Sequence, residues 1–254
     1  MRIIKTNDEP SPNESGPINF LIYGDTGSGK TFALQTLPEA MLPALILDFD
    51  RGSRHLRKTD LGTIVQFDIE LRKKPVMYDQ ARDFLEDLAA GKKEKQDLIA
   101  LDEVKTIVVD SFTTLIKGIQ DRTMQWFIDN GRGGNSRSSR DSPPTQAEYG
   151  MIAHLGENLI RGIIGLDKHT IVICHEASKV QDEVTGLSSA GPALQRSLAI
   201  ALPRYFDEVL YAKAEGKADK RTFHWHTKAT GQFVARSRHD LDAKIPQDFS
   251  KSYS

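Results

Sequence analysis

One cysteine, two tryptophans and no apolar run approaching the roughly 20 residues that span a bilayer set the first limits on this chain of 254 residues. A lone Cys174 excludes an intramolecular disulfide and favours a reducing compartment. It sits inside the apolar run Thr170 to Cys174 and reads as a small buried hydrophobe. The opening residues Met1 to Pro10 lack the apolar core of a signal peptide, so the chain is expected to stay in the cytoplasm, the host cytoplasm if it is phage-encoded, with no membrane partner. Strong charge of either sign is missing too, because 34 Lys and Arg stand against 35 Asp and Glu, a net −1. A uniformly basic nucleic-acid coat is thereby excluded, and any contact with nucleic acid must come from particular loops.

What is present fits one substantial α/β core: 39% of residues are hydrophobic and 27% charged. The most specific element is Gly24-Asp25-Thr26-Gly27-Ser28-Gly29-Lys30-Thr31, a G-x-x-x-x-G-K-T phosphate loop after the strand-like run Asn19 to Tyr23. Its glycines let the backbone turn where a Cβ would resist, so that successive N–H groups point inward at an anion. Lys30 to Leu37 reads as a helix stopped by Pro38, with its N-terminus adding positive potential at the phosphates. Lys30 is expected to reach the β- and γ-phosphates of ATP, and Thr31 to ligate Mg²⁺.

Strand and helix signals then alternate, the rhythm of a mainly parallel sheet covered on both faces. Ala44 to Asp50 and Thr63 to Phe67 read as strands, and Met77 to Ala90 as a helix closed by Gly91. A charged connector follows at Lys92 to Asp97. Thr106 to Ser111 is a β-branched strand ending in a carboxylate, and ligands of open α/β sheets collect at that edge. Asp110 is therefore a candidate for the metal side of the nucleotide site, directly or through water. The Gly/Ser/Arg-rich stretch Asn130 to Pro144 reads as a mobile loop. Thr145 and Glu148 form a capping box opening a helix whose apolar stripe includes Tyr149, Ile152, Leu159, Ile160 and Ile163. The strand Thr170 to Cys174 ends in His175-Glu176, and a second weakly structured loop runs from about Ala177 to Pro192. Three short strands, Asp207 to Ala212, Thr222 to Thr227 and Gln232 to Arg236, suggest an antiparallel extension. His224 and His226 share a strand face without a nearby third ligand and read as ordinary strand side chains.

With these pieces in order, residues 19–238 resemble the ATPase core of the RecA/Rad51 superfamily, and more closely its small phage ATPases implicated in single-strand annealing and recombination. Gly24 to Thr31 matches the phosphate loop, and Thr106 to Ser111 the strand with the metal-side aspartate. Leu47-Asp48-Phe49-Asp50 resembles the strand end whose acid, usually glutamate there, polarises the attacking water. His175-Glu176 stands where a polar pair senses the γ-phosphate. The resemblance implies a RecA-like fold and a catalytic set of Lys30, Asp50, Asp110 and Glu176, with His175 beside the nucleotide and Asp48 competing with Asp50 for the water. It also places both flexible loops where single-stranded DNA would pass. Arg132, Arg137, Arg140, Lys179 and Arg196 are then the candidate phosphate contacts, although neither loop contains an aromatic platform for bases.

The same resemblance implies a homo-oligomer, ring or filament, with Lys228, Arg236 and Arg238 as cations acting on a neighbour's nucleotide. The expected organisation is a flexible segment over 1–17, a RecA-like domain over 18–240 and a C-terminal tail over 241–254. The leading expectation is a DNA-stimulated ATPase acting on single-stranded DNA in recombination or annealing. Two alternatives stand beside it: a small-molecule or nucleotide kinase using Gly131 to Arg140 as a lid, and a nucleotide-responsive DNA-binding module with little turnover.

Overall fold

The computed structural model describes residues 16–67, 75–91, 100–131, 138–177, 180–181, 188–217 and 220–253. Its centre is β1 (Asn19–Gly24), where Phe20, Leu21, Ile22 and Tyr23 are all fully buried. Burial on both faces is what a near-continuous apolar run achieves in a parallel sheet. β1 pairs in parallel with β5 (His169–His175) on one side and with β8 (Glu208–Glu215) on the other. Beyond β5 lie β4 (Thr106–Asp110), β2 (Ala44–Asp48) and β3 (Gly62–Gln66), also parallel. Beyond β8 lie β9 (Thr222–His226) and β10 (Lys244–Pro246), both antiparallel. Among the described residues these eight strands form one sheet. The expected class, a mainly parallel α/β sheet with antiparallel C-terminal strands, is the one observed.

Alternation along each strand divides the apolar side chains between two cores. Leu21, Leu47, Val109 and Val172 face the helices α2 (Met77–Ala89), α3 (Phe112–Asn130) and α4 (Gln146–Ile164). Phe20, Ile46, Val108 and Ile171 face the opposite layer, which contains Leu34, Trp225 and Phe249. Both long helices are capped as their sequences dictate. Ser111 Oγ accepts the Thr114 N–H at 3.3 Å, and the Thr145/Glu148 capping box closes in both directions.

Several expectations need correction. The phosphate-loop helix is shorter than Lys30 to Leu37: α1 covers only Lys30–Ala33 and passes into a 3₁₀ turn at Leu34–Thr36. Gly29 offers no side-chain cap, Thr36 Oγ1 bonds back to the Ala33 carbonyl at 2.7 Å, and Pro38 disfavours helix at the residue before it. So few aligned peptides make only a weak dipole. β2 stops at Asp48, so Phe49 and Asp50 lie beyond the strand.

β8 is parallel to β1, not antiparallel, because the chain leaves β5, crosses through α5 (Arg196–Ala201) and re-enters on the other side of β1. The stretch Gln232 to Arg236 is not a sheet strand. β9 covers β8 only from Tyr211 onward, and the buried start of β8, unpaired by β9, is met by a single bridge between Val209 and Arg236. Within the second loop, β6 (Val180–Gln181) and β7 (Ser188–Ser189) form a two-stranded ribbon. The connector Lys92 to Asp97 and the N-terminal segment up to residue 15 lie outside the described residues.

Residues 241–253, expected as a tail, are built into the fold. β10 extends the sheet, and α6 (Phe249–Ser252) presses Phe249 edge-on against Phe20 at 5.4 Å and Trp225 at 4.7 Å. Phe249→Ala is expected to destabilise the chain by about 3–5 kcal/mol, as a lower urea midpoint at unchanged slope. An unshifted midpoint would mean that the segment is a loose appendage after all.

Candidate nucleotide site

The carboxyl ends of β1, β5, β4 and β2 lie at one edge of the sheet. Register aligns them: Gly24 pairs His175, and Asp48 pairs Asp110. The phosphate loop rises from this edge. Gly24 is required by a close approach, because a Cβ there would lie 2.2 Å from the Ala212 carbonyl oxygen. Gly29 has φ +89°, and its missing side chain leaves room for Phe223 and Gln247 of the β9–β10 region. Gln247 Nε2 donates to the Ser28 carbonyl at 2.8 Å and to that of His224 at 2.9 Å, strapping the loop from outside. Gln247 was not foreseeable from the loop motif, since it comes from the segment read as a tail.

Lys30 is buried, and its Nζ donates to the carbonyls of Gly24 and Asp25, each at 2.8 Å. Burial pushes the ammonium below its usual range, while Asp110 and Asp25 pull it back up. Thr31 Oγ1 donates to Asp110 Oδ2 at 2.7 Å. Asp110 is 4% exposed, and its carboxyl is pushed up to about 7, chiefly by desolvation, then by the neighbouring Asp50 and Asp48 against the Thr31 bond and Lys30. A buried acid this reluctant to ionise, beside a hydroxyl, suits a hard cation that restores its charge, and Mg²⁺ needs few protein oxygens because phosphates and waters supply the rest. Among the described residues no cluster of three or more His, Cys, Asp or Glu forms another such site. His224 and His226 lie on β9, and Cys174 is fully buried in β5.

Asp48 and Asp50 separate cleanly. Asp48 is buried and accepts from Ser53 Oγ at 2.5 Å, Gln66 Nε2 at 2.7 Å and the Gly52 N–H at 3.1 Å, so it holds the turn after β2. Asp50 instead reaches over the phosphate loop, with Oδ2 at 3.0 Å from His175 Nε2. A cavity of about 380 Å³ is lined by Thr26, Gly27, Gly29, Lys30, Thr31, Asp50, Asp110 and His175.

Glu176 lies elsewhere. Its N–H bonds the Gly24 carbonyl, and its carboxylate accepts from Tyr211 Oη at 3.2 Å. It lines a second cleft behind the loop, with Asp25, Ser28, Lys213 and Arg221. Adjacent residues at a strand end project to opposite sides, so His175 and Glu176 do not share one cavity.

The cations expected to act on a neighbour lie toward the other edge of the sheet. Arg236 Nη2 donates to the carbonyls of Pro203 at 2.9 Å and Phe206 at 2.5 Å, while Arg238 pairs Asp207 at 2.7 Å, level with the start of β1. Lys228 is exposed just after β9. Of the DNA candidates, Arg132, Arg137 and Lys179 lie outside the described residues. Arg140 acts electrostatically on Asp121 of α3, and Arg196 opens α5. Arg196 lines a surface cavity of about 950 Å³ with Gln120, Gln146, Tyr149, Gln195, Ser197 and Ile200. Tyr149 was read as part of an apolar stripe, yet it is 41% exposed there.

A family model described as the AAA domain matches residues 16–239. The chain belongs to this family. Its core is therefore that of an AAA-type P-loop nucleoside triphosphatase domain, in agreement with the loop, Asp110 and the sheet that aligns them. A KaiC-like protein from the hyperthermophilic archaeon Pyrococcus horikoshii is similar in structure, with 15% identity, 91% of this chain and 85% of that chain covered, and a TM-score of 0.47. No curated protein sequence matches this chain.

The raised Asp110 value predicts a pH-dependent stability in the nucleotide-free protein. A folded-state value above the unfolded 3.8 gives a contribution fully present below about pH 4 and lost as pH rises through 7. Asp110→Asn should therefore melt several degrees above wild type at pH 8 and alongside it at pH 4, by scanning calorimetry. Parallel curves for the two proteins across this range would contradict the assignment.

Proposed function

We propose that this chain binds ATP with Mg²⁺ at the phosphate loop, hydrolyses it, and uses the nucleotide state to control contact with single-stranded DNA in recombination or annealing. One observation carries the nucleotide part: Lys30, Thr31, Asp110, Asp50 and His175 line a single cavity at the carboxyl edge of the sheet. Lys30 would leave its carbonyl contacts to meet phosphate oxygens, and Thr31 and Asp110 would hold the cation. Bound there, Mg²⁺ neutralises phosphate charge. Asp50 and His175 face the end of the loop where an attacking water belongs.

The DNA part is supported by the cavity beside α5. Tyr149 presents a ring for stacking, Arg196 a cation for backbone phosphate, and Gln120 and Gln146 amide groups for hydrogen bonding. A route joins this face to the nucleotide cavity, since the His175 carbonyl accepts the Ala193 N–H at 2.7 Å, three residues before Arg196. Movement of His175 would thus be felt at the start of α5. Head-to-tail association, ring or filament, would set the edge bearing Lys228, Arg236 and Arg238 against a neighbour's loop. Among the described residues no helix is long and apolar enough to cross a membrane.

The test combines ATP turnover, with and without single-stranded DNA, and fluorescence anisotropy of a labelled oligonucleotide. Expected are DNA-stimulated turnover, its loss in Lys30→Ala, and roughly 5- to 100-fold weaker DNA binding in Tyr149→Ala. Turnover that requires a small phosphate acceptor and ignores DNA would make the chain a kinase. DNA binding without turnover would make it a nucleotide-responsive module.

A further inference from the structure

The geometry points to His175, not Asp50, as the group that takes the proton from the attacking water, with Asp50 as a positioning residue behind it; this rests on the hydrolysis reading above. Asp50 has an arm one methylene shorter than glutamate, and its Oδ2 is already engaged by His175 Nε2 at 3.0 Å. The imidazole is the more open of the two, at 39% side-chain exposure against 25% for Asp50, and both line the cavity that contains Lys30 and Thr31. The backbone on either side of the ring is fixed, with the His175 N–H on Thr113 Oγ1 at 3.0 Å and its carbonyl on Ala193. Neighbouring acids are committed elsewhere: Asp48 to Ser53 and Gln66, Asp110 to Thr31, Glu176 to Tyr211. A half-exposed polar contact of this kind contributes little to stability, so support of the fold is a weak reason for these two side chains to meet at the mouth of the phosphate loop.

The chemistry follows from the tautomer that Asp50 selects. A proton on Nε2 donated to the Asp50 carboxylate leaves Nδ1 unprotonated and able to accept. As the water oxygen bonds to the γ-phosphorus, the bond from phosphorus to the β,γ-bridging oxygen breaks, and its electron pair leaves with ADP. The water proton passes to Nδ1. The resulting imidazolium is stabilised by Asp50 and later releases the proton to solvent. ATP and water thus become ADP, phosphate and a proton.

Steady-state turnover and ATP affinity of the full chain test this, using wild type, His175→Gln, Asp50→Asn and the double variant. His175→Gln is expected to lower kcat at least about 100-fold with ATP affinity within threefold of wild type. The double variant should be no slower than His175→Gln alone, because the two act as one unit. Asp50→Asn should also lower kcat with ATP affinity within threefold of wild type, and Asp50→Glu, which keeps the carboxylate behind the ring, should restore part of that loss. Melting curves check folding, and His175→Asn serves if the glutamine variant misfolds. Wild-type turnover that survives both His175 substitutions within threefold overturns the pair alone, with Asp50 acting by itself. A wild-type chain that binds ATP without turning it over overturns the hydrolysis reading and the pair together.

Discussion

The hydrogen bond from Thr31 to Asp110 is the joint on which the site depends. One partner is the last residue of the phosphate-loop motif, the other the last residue of a strand two places away in the sheet, with β5 between them. For the two to meet at 2.7 Å, β1, β5 and β4 must run parallel in matched register, and the loop must turn tightly over the sheet edge. Gly24 permits that turn, since a Cβ would collide with the β8 backbone. The unfavourable burial of Asp110 as a charge is thus a consequence of the register, and it prepares the site for a hard cation and a polyanion.

Around this joint, short-range geometry decides which of several similar residues serves the nucleotide. Asp48 and Asp50 are two apart in sequence, yet the end of β2 after Asp48 makes one a buried acceptor for its own turn and frees the other toward the loop. His175 and Glu176 are adjacent, and alternation sends them to opposite sides of the phosphate loop. A site assembled from strand ends is therefore specified to single positions, which composition cannot resolve.

The legible parts of the sequence were those carried by local patterns. The phosphate loop, the buried β-branched run before Asp110 and the capping box at Thr145 each have a short-range cause and form as read. What escaped the reading depends on distant partners. The parallel alignment of β8 follows from a crossover through α5, and the single bridge at Arg236 follows from how much of β8 is left uncovered by β9. Gln247 reaches the loop from 219 residues away, a contact that no window of sequence could reveal. Tyr149 looked apolar by spacing, yet it lies in the first turns of α4, where Gln146, Ala147 and Gly150 are exposed as well, and its ring shares their exposure.

Family membership and the cavity agree on a nucleoside triphosphatase core, and the His175 carbonyl, at the edge of that cavity, accepts the Ala193 N–H ahead of α5. The central claim is that the Thr31–Asp110 joint is the place where nucleotide and cation meet. Calorimetric titration of wild type and Thr31→Ala with a non-hydrolysable ATP analogue, with and without Mg²⁺, tests it most directly. The account predicts that Mg²⁺ tightens binding to wild type and that this tightening is lost in Thr31→Ala; equal responses to Mg²⁺ in the two proteins would contradict it.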